Sequence, residues 1–309
     1  VVKKGDFQEG ESVIFIFPDV LVDKTNPQFS FMEQRKWKVW QAKFRGEPSA
    51  GLVMPISLLK DYISDPIDDY KTQIGLDVGA VIKCEKYEKP LDITINGDTK
   101  GSYPGFLARK TDEDNLRSNP RVIEEFKGKT CIITQKADGS SFSAFYVNTE
   151  EEDKKFKVCS RNLEVKEGEN AFWHVANKYN LREKLTNLNK NIAIQGEVVG
   201  PKMNGNRLGL SVLDLYVFNI KDLDTGVYYN YNQIVEFCKE FNLTPVKFVS
   251  EFVWGEDVTI DKLQEIADSQ VYPNGAKGEG IVIRPIENVW SNVLDKELSV
   301  KLINQNYKD

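Results

Sequence analysis

The first third of the chain alternates short apolar runs with turn residues. Strand-like runs cover residues 11–18, 36–45, 51–55 and 79–87, and a helical pattern at 56–62 separates the third run from the fourth. Several short strands at close spacing with one helix predict a small, partly open β-barrel of the OB type.

The run at 36–45 is unusual because lysine and arginine alternate with aromatic residues. One interpretation is a surface that stacks on the bases and contacts the phosphates of a nucleotide or nucleic acid. The other is a core strand whose lysine stems cover apolar surface. The pattern is compatible with both.

The rest of the chain mixes strands and helices after a stretch at 88–120 that is rich in glycine and proline and is typical of a linker or arm. Strand patterns occur at 131–133, 142–147, 156–162, 191–201, 213–220, 277–285 and 298–303, and helical patterns at 120–126, 170–185, 233–241 and 260–269. We therefore predict an α+β protein. It has an OB-type domain over 1–95, a linker or arm over 96–120 and a second domain over 121–309.

A lysine lies at the end of one predicted strand, and a carboxylate and a glycine follow it in the sequence Lys136-Ala137-Asp138-Gly139. A lysine amine becomes a good nucleophile only after it has lost its proton, which burial or a neighbouring cation can bring about. A β-turn with a solvated lysine would give the same short pattern.

Three charged residues lie inside or beside strand patterns that are otherwise apolar: Glu197, Glu279 and Lys301. Buried charges must be paired or bound to a metal, so each of these fits a structural ion pair when it is taken alone. Together with Lys136 and Asp138 they make up one nucleophile, three carboxylates able to hold Mg²⁺ or Mn²⁺, and a lysine for phosphate oxygens. An attack on an α-phosphorus with pyrophosphate as leaving group needs these components.

Composition is that of a globular protein, with 40% hydrophobic and 28% charged residues. The formal charge of −6 argues against a generally basic nucleic-acid coat but is compatible with a local basic groove. The four cysteines are scattered, which predicts free thiols in a reducing compartment, and the single histidine, His174, lies in a helical pattern. No apolar run approaches the roughly 18 residues that span a bilayer. We expect a soluble intracellular protein with no membrane partner.

Six motifs occur in an order that resembles the covalent nucleotidyltransferase superfamily of ligases and mRNA capping enzymes. They are residues 136–139, residues 160–162, the strand of Glu197, the strand of Phe218, residues 279–284 and the strand of Lys301. The resemblance implies that Lys136 carries AMP as a lysyl adduct and that Lys301 contacts the α-phosphate. It also implies that Asp138, Glu197 and Glu279 hold Mg²⁺ or Mn²⁺ through bound waters and contact the ribose.

Five further residues complete the ATP-binding set that the resemblance implies. Phe218 stacks on the adenine, and Arg161 contacts the nucleotide or the RNA terminus. Gln135, Gly139 and Val282 lie in the same motifs and are assigned to ATP binding.

The predicted barrel precedes Lys136, and only eight residues follow Lys301. This order is similar to the RNA ligases typified by the Naegleria and Deinococcus enzymes, in which an OB domain precedes a nucleotidyltransferase (ATP-grasp-like ligase) domain of antiparallel sheets and flanking helices. The resemblance implies an ATP-dependent RNA ligase that joins a 3′-OH to a 5′-phosphate through an adenylylated RNA end. We expect a monomer that seals nicks in duplexes.

Two positions depart from the pattern of these relatives. Ser299 stands where many of them carry lysine, and Gln135 stands where a glutamate is common.

Two other functions stay open: a GTP-dependent guanylyltransferase, and a non-catalytic protein that binds nucleic acid.

Overall fold

The computed structural model describes residues 2–307 except 4, 41, 45, 46, 50, 65 and 88–97. The chain divides into two compact units, residues 1–90 and residues 91–309. The domain boundary predicted at 95 and 96 lies outside the described residues.

The first unit contains short strands, 3₁₀ helices and one short α-helix. In chain order these are β1 (Val13–Ile16), β2 (Val20–Leu21), a 3₁₀ helix (Pro27–Arg35), β3 (Lys38–Val39), β4 (Ala42–Phe44), β5 (Glu47–Ser49), β6 (Leu52–Pro55), a 3₁₀ helix (Ile56–Asp61), α1 (Asp68–Lys71) and β7 (Glu85–Lys86). β1 pairs with β6, β2 lies between β3 and β7, and β4 pairs with β5. Within the described residues these three sheets do not join into a closed barrel, so the OB assignment stays a prediction.

The strand predicted over 36–45 begins later than predicted and is divided, because the described residues of this range form β3 at 38–39 and β4 at 42–44. Lys36 and Trp37 adopt left-handed backbone conformations, with φ of 51° and 56°, and separate the first 3₁₀ helix from the two-residue β3. The amide of Lys36 donates to Glu33 O and that of Trp37 to Met32 O, which closes the helix. Because Met32 is buried in the core of this unit, packing of the helix overrides the local strand pattern.

The second unit has the following elements: β8 (Thr99–Ser102), β9 (Asp114–Asn115), 3₁₀ turns (Leu116–Ser118 and Pro120–Val122), α2 (Ile123–Phe126), β10 (Thr130–Gln135), β11 (Ser140–Tyr146), α3 (Glu152–Lys155), β12 (Phe156–Cys159), β13 (Leu163–Val165), α4 (Ala171–Lys178), α5 (Leu181–Leu188), β14 (Ile192–Val199), a 3₁₀ turn (Asn204–Asn206), β15 (Asp214–Asp222), α6 (Tyr231–Phe241), β16 (Thr244–Pro245), β17 (Phe248–Val253), α7 (Ile260–Asp268), β18 (Gly280–Pro285), β19 (Trp290–Ser291), β20 (Lys296–Glu297) and β21 (Val300–Ile303). This mixture of strands and helices confirms the α+β class.

Two large sheets organise the second unit. One has seven strands in the order β16-β15-β14-β11-β12-β13-β8, and the other has five in the order β17-β10-β18-β21-β9. Neighbouring strands are antiparallel except for the pairs β15–β16 and β9–β21. The described part of the predicted arm over 96–120 contributes an edge strand to each sheet.

The helix predicted over 170–185 is interrupted. α4 ends at Lys178, and α5 begins at Leu181 after Asn180, which has a φ of 50°. Asparagine tolerates this left-handed conformation better than most residues, so the chain turns there. The predicted aromatic stripe does face the core, because Phe172 and Trp173 are buried, whereas His174 is exposed.

The four cysteines are free, and three of them are buried. Burial raises the pKa of the Cys131 thiol to about 12 and that of Cys238 to about 12, so neither thiol is ionised at neutral pH. In the described part of the chain, every helix is too short or too polar to cross a bilayer.

A stacked pair, Phe126 and Trp254, lies in the core beside the five-stranded sheet. Their ring centroids are 4.6 Å apart, and Trp254 is only 2% exposed. Trp254→Ala should lower the free energy of unfolding by about 3–5 kcal/mol, because it removes a large buried side chain and leaves a cavity. Urea unfolding followed by circular dichroism would measure the change.

The matched control is Trp290→Ala, since Trp290 is 48% exposed. This control should lose less than about 1 kcal/mol, as is usual for surface positions. Equal losses for the two variants would contradict the assignment of Trp254 to the core.

Candidate active site

The turn at residues 136–139 carries the chain from one large sheet to the other. β10, before the turn, pairs with β18 in the five-stranded sheet, and β11, after it, pairs with β14 in the seven-stranded sheet. The turn is therefore close both to Glu279, which immediately precedes β18, and to Glu197, which lies within β14.

Gly139 is required by the close approach of this turn to β14. A Cβ atom at Gly139 would lie 2.0 Å from the carbonyl oxygen of Val198, which is part of the backbone and cannot move aside cheaply. The glycine assigned to ATP binding from the sequence thus has a structural role in bringing the turn onto the Glu197 strand.

Lys136 and Glu279 form the central ion pair of the site, with Nζ and Oε1 2.7 Å apart. Their side chains are 23% and 18% exposed, so the lysine is not the solvated turn residue of the simpler interpretation. The amide of Lys136 donates to Gly280 O at 2.9 Å. The hydroxyl of Tyr272 donates to Lys136 O at 3.0 Å and accepts from the amide of Glu279 at 3.0 Å.

Asp138 is buried, and both of its carboxylate oxygens accept hydrogen bonds. The side-chain nitrogen Nδ2 of Asn204 donates to Oδ1, and the hydroxyl of Tyr307 donates to Oδ2. The guanidinium of Arg207 lies over the Tyr307 ring, 5.1 Å from its centroid. The sequence analysis identified neither the two donors to Asp138 nor Arg207. The only local signal was the Asn-Gly-Asn sequence at 204–206.

Burial raises the pKa of Glu197 to about 8, and repulsion from Glu279 and Asp138 adds to this effect against the attraction of Lys136. Burial likewise raises the pKa of Glu279, although Lys136 and Lys301 pull it down. Burial by itself would lower the pKa of Lys136, but the attraction of Glu279, Glu197 and Asp138 outweighs it, and this pKa lies above its ordinary value.

The shift at Lys136 is opposite to the one that a nucleophile needs. Lys136 is held as an ammonium ion among three acidic groups, so a reaction requires positive charge that offsets the carboxylates. In the described residues no group of three or more histidine, cysteine, aspartate or glutamate side chains is arranged to ligate a metal directly. Crowded carboxylates with raised pKa values fit a divalent cation that is held through water molecules.

A cavity opens beside Lys136 and Glu197, and its apolar walls are Phe218, Val246 and Val282. Gln135 also lines it. The side-chain nitrogen of Gln135 donates to Gln270 Oε1 at 3.1 Å and to Val271 O at 3.0 Å. The amide group of Gln135 is therefore fixed by the protein, and its oxygen is the part available to a ligand.

Arg284 reinforces this cavity, although the sequence did not single it out as a site residue. Its guanidinium donates to Phe218 O at 3.0 Å and to Asn219 Oδ1 at 2.7 Å. These bonds join β18 to β15 and fix the position of Phe218 relative to Val282.

Five of the predicted residues do not line this cavity as the structure describes it: Asp138, Gly139, Arg161, Glu279 and Lys301. Arg161 pairs with Asp112, with a distance of 2.6 Å. Lys301 lies directly opposite Val282 in the β18–β21 pair, so both side chains emerge on the same face of the sheet. Ser299 is buried and, being a serine, places no charge at the position where many relatives have lysine.

Comparison with known proteins finds one family. The profile of the RNA ligase family matches residues 129–303, more than half of the chain. A search of curated proteins finds no match.

Among solved structures, the chain is similar to the RNA ligase of Naegleria gruberi. An apo mutant of that ligase has a TM-score of 0.81 and 27% identity, with 98% of this chain and 87% of that chain covered. Mutants of the same ligase with ATP and Mn and with AMP and Mn each have a TM-score of 0.80 and 27% identity, with 98% and 88% covered.

The raised pKa of Glu197 predicts a pH-dependent stability. A carboxyl group whose pKa rises from 4.5 to about 8 on folding contributes stability that is complete below pH 4.5 and is lost as the pH rises through 8. Glu197→Gln removes this loss. The variant should therefore gain in melting temperature relative to the unmodified protein between pH 5 and pH 8.5, by at least about 2 °C.

Differential scanning fluorimetry across this pH range, without added metal, would measure the difference. Glu183→Gln is the control, because Glu183 is exposed on α5. A difference between Glu197→Gln and the unmodified protein that stays constant with pH, or that falls as pH rises, would refute the assignment.

Proposed function

This chain belongs to the RNA ligase family, and we propose that it joins RNA ends with ATP through a covalent AMP adduct on Lys136. The observation that carries the proposal is the position of this lysine. It lies half-buried at the edge of a cavity walled by Phe218 and Val282, 2.7 Å from a carboxylate that can take its proton. The ATP and AMP complexes of the similar Naegleria ligase support the same nucleotide.

In the first step, a proton passes from Lys136 to Glu279, whose raised pKa favours accepting it. The neutral amine attacks the α-phosphorus of ATP and forms a nitrogen–phosphorus bond. The bond to the β-phosphate oxygen breaks, and pyrophosphate leaves with the electron pair. The second proton on nitrogen leaves to solvent.

In the second step, an oxygen of an RNA 5′-phosphate attacks the adenylyl phosphorus, and the nitrogen–phosphorus bond breaks as Lys136 regains its protons. In the third step, an RNA 3′-OH loses its proton and attacks the activated 5′-phosphorus. The bond to AMP breaks, and AMP leaves.

The other side chains bind and orient the nucleotide in this proposal. Phe218 and Val282 enclose the adenine, and the oxygen of Gln135 faces its polar edge. Glu197 contacts the ribose. Lys301 emerges on the same face as Val282, which supports contact with the α-phosphate.

Three further roles belong to the same proposal. Asp138, Glu197 and Glu279 would hold Mg²⁺ or Mn²⁺ through water, and the cation supplies positive charge that lowers the pKa of Lys136 and stabilises charge on the phosphorus. Arg161, now paired with Asp112, is available at the surface for the nucleotide or the RNA terminus. Gly139 allows the close approach that brings these groups together.

The proposal extends to the organisation of the protein. Residues 1–95 are an OB-type domain that binds the duplex or orients pyrophosphate, residues 96–120 lead into the nucleotidyltransferase domain, and residues 121–309 form that domain. The substrate is a nicked duplex, and the protein acts as a monomer. The small sheets of the first unit support the OB assignment without closing a barrel among the described residues.

Incubation with ATP labelled at the α-phosphate and with Mg²⁺ or Mn²⁺ should attach the label covalently to the protein. Lys136→Met should reduce this labelling to background, because methionine has no amine to attack phosphorus. Lys127→Met is the matched control, since Lys127 is 53% exposed, and it should label normally. Denaturing gels would measure the adduct, and labelling that survives in Lys136→Met would overturn the mechanism.

A nicked duplex with an RNA 3′-OH strand and an abutting 5′-phosphate strand should be sealed in the presence of ATP. GTP in place of ATP should give neither labelling nor product, because mutants of the similar Naegleria ligase were solved with ATP and with AMP. Labelling by GTP would favour a guanylyltransferase. Retention of the duplex in a binding assay without sealed product would favour a non-catalytic binding protein.

A further inference from the structure

Asp138 is the acidic residue nearest in sequence to the nucleophile, and two side chains outside the predicted machinery hold it. We infer that Asn204 and Tyr307 are positioning residues that fix the carboxylate of Asp138 for the divalent cation. The inference rests on the proposed function, because it concerns the cation of that same site.

The geometry leaves the carboxylate partly free. A carboxylate offers about four lone-pair positions, two on each oxygen. Asn204 occupies one on Oδ1, and Tyr307 occupies one on Oδ2. Each oxygen keeps one position for a water molecule of the cation, and two donors on different oxygens prevent rotation of the group about its last bond.

Asn204 is held in place by an unusual loop. Lys202, Asn204 and Asn206 all have left-handed backbone conformations, with φ of 67°, 40° and 50°. Such conformations cost energy in residues with a side chain and persist only where the surroundings enforce them. Met203 is buried beside them, which anchors the loop at the residue before Asn204.

Tyr307 is fixed independently, at the end of the described chain. Its amide donates to Asn304 O at 3.0 Å. Asn304 is buried, its amide donates to Glu279 O at 2.9 Å, and its side chain donates to Gly278 O at 3.0 Å. The segment that carries Tyr307 is therefore tied to the backbone of Glu279 itself.

The kind of donor also matters. Glu197 and Glu279 repel the carboxylate of Asp138 whenever they are ionised, so a fixed position for this carboxylate requires donors that hold it. Asn204 and Tyr307 are neutral, and they stabilise the negative charge through charge-assisted hydrogen bonds without cancelling it. A lysine or arginine in either place would neutralise the charge that attracts the cation. The structure thus fixes Asp138 through one neutral donor on each carboxylate oxygen.

Tyr307→Phe removes the hydroxyl and keeps the ring under Arg207, and Asn204→Ala removes the other donor. Tyr179→Phe is the matched control, because the Tyr179 hydroxyl also donates to an aspartate, Asp214, in another part of the unit. Binding of Mn²⁺ would be measured by electron paramagnetic resonance of the free ion in the presence of AMP. The Mn²⁺ concentration for half-maximal formation of the lysyl-AMP adduct would be measured in parallel.

Each of the two variants should raise the Kd for Mn²⁺ and the Mn²⁺ concentration for half-maximal adduct formation about tenfold. A hydrogen bond to a charged group is worth at least that factor. The KM for ATP at saturating Mn²⁺ should change less than about twofold, and Tyr179→Phe should leave Mn²⁺ binding unchanged. Melting temperatures without metal would show whether each variant is folded. If one variant fails to fold, the other still decides.

Unchanged Mn²⁺ binding in the folded variants would overturn the inference, and so would an equal weakening in Tyr179→Phe. Tighter Mn²⁺ binding in Tyr307→Phe would also overturn it, because the hydroxyl would then compete with the cation for the carboxylate. Failure of the proposed function has a different signature, namely no adduct in the unmodified protein, and the Mn²⁺ binding curves remain informative in that case.

Discussion

One ammonium ion held among three acidic groups is the constraint on which the site of this protein depends. Burial raises the pKa values of Glu197 and Glu279, and the same carboxylates raise the pKa of Lys136. Under the proposed function, the lysine would therefore stay protonated until positive charge offsets the carboxylates. In that proposal the reactivity of Lys136 would depend on the nucleotide and the cation, because the carboxylates that keep the lysine protonated are also those that would bind the cation.

Hydrogen bonds to the backbone hold these charges at fixed distances. Tyr272 connects the carbonyl of Lys136 to the amide of Glu279, and Arg284 connects β18 to β15 beside Phe218. The Arg284 bond joins two strands, and the Tyr272 bonds join the residue that follows β10 to the residue that precedes β18. The precision of the site thus comes from polar side chains that a nucleotide need not touch.

The sequence was sufficient for residues whose local pattern is unusual. Glu197 interrupts an apolar strand, Glu279 directly precedes another, and Lys136 precedes a glycine turn, so each was found, and the structure brings all three together. Tyr272 and Tyr307 were missed because their importance arises from contacts with residues distant in sequence, and a tyrosine near a strand has no local mark of this. The start of the strand predicted over 36–45 was wrong for a related reason, since burial of Met32 decides where the preceding 3₁₀ helix ends. The roles of the site residues and the domain boundaries stay predictions, because they concern ligands and residues outside those described.

The pairing of β9 with β21 affects how this protein is made. Asp114 lies opposite Val300, so the five-stranded sheet receives one edge strand from near the start of the second unit and its neighbour from near the end. Contacts between residues so far apart in sequence form late, because the chain must first lose the entropy of a long loop. On the ribosome, β9 cannot pair with β21 until residues 300–303 have been synthesised, more than 180 residues after β9. Lys301 and Tyr307 emerge at that same late stage. A nascent chain therefore contains Lys136 long before it contains these two residues.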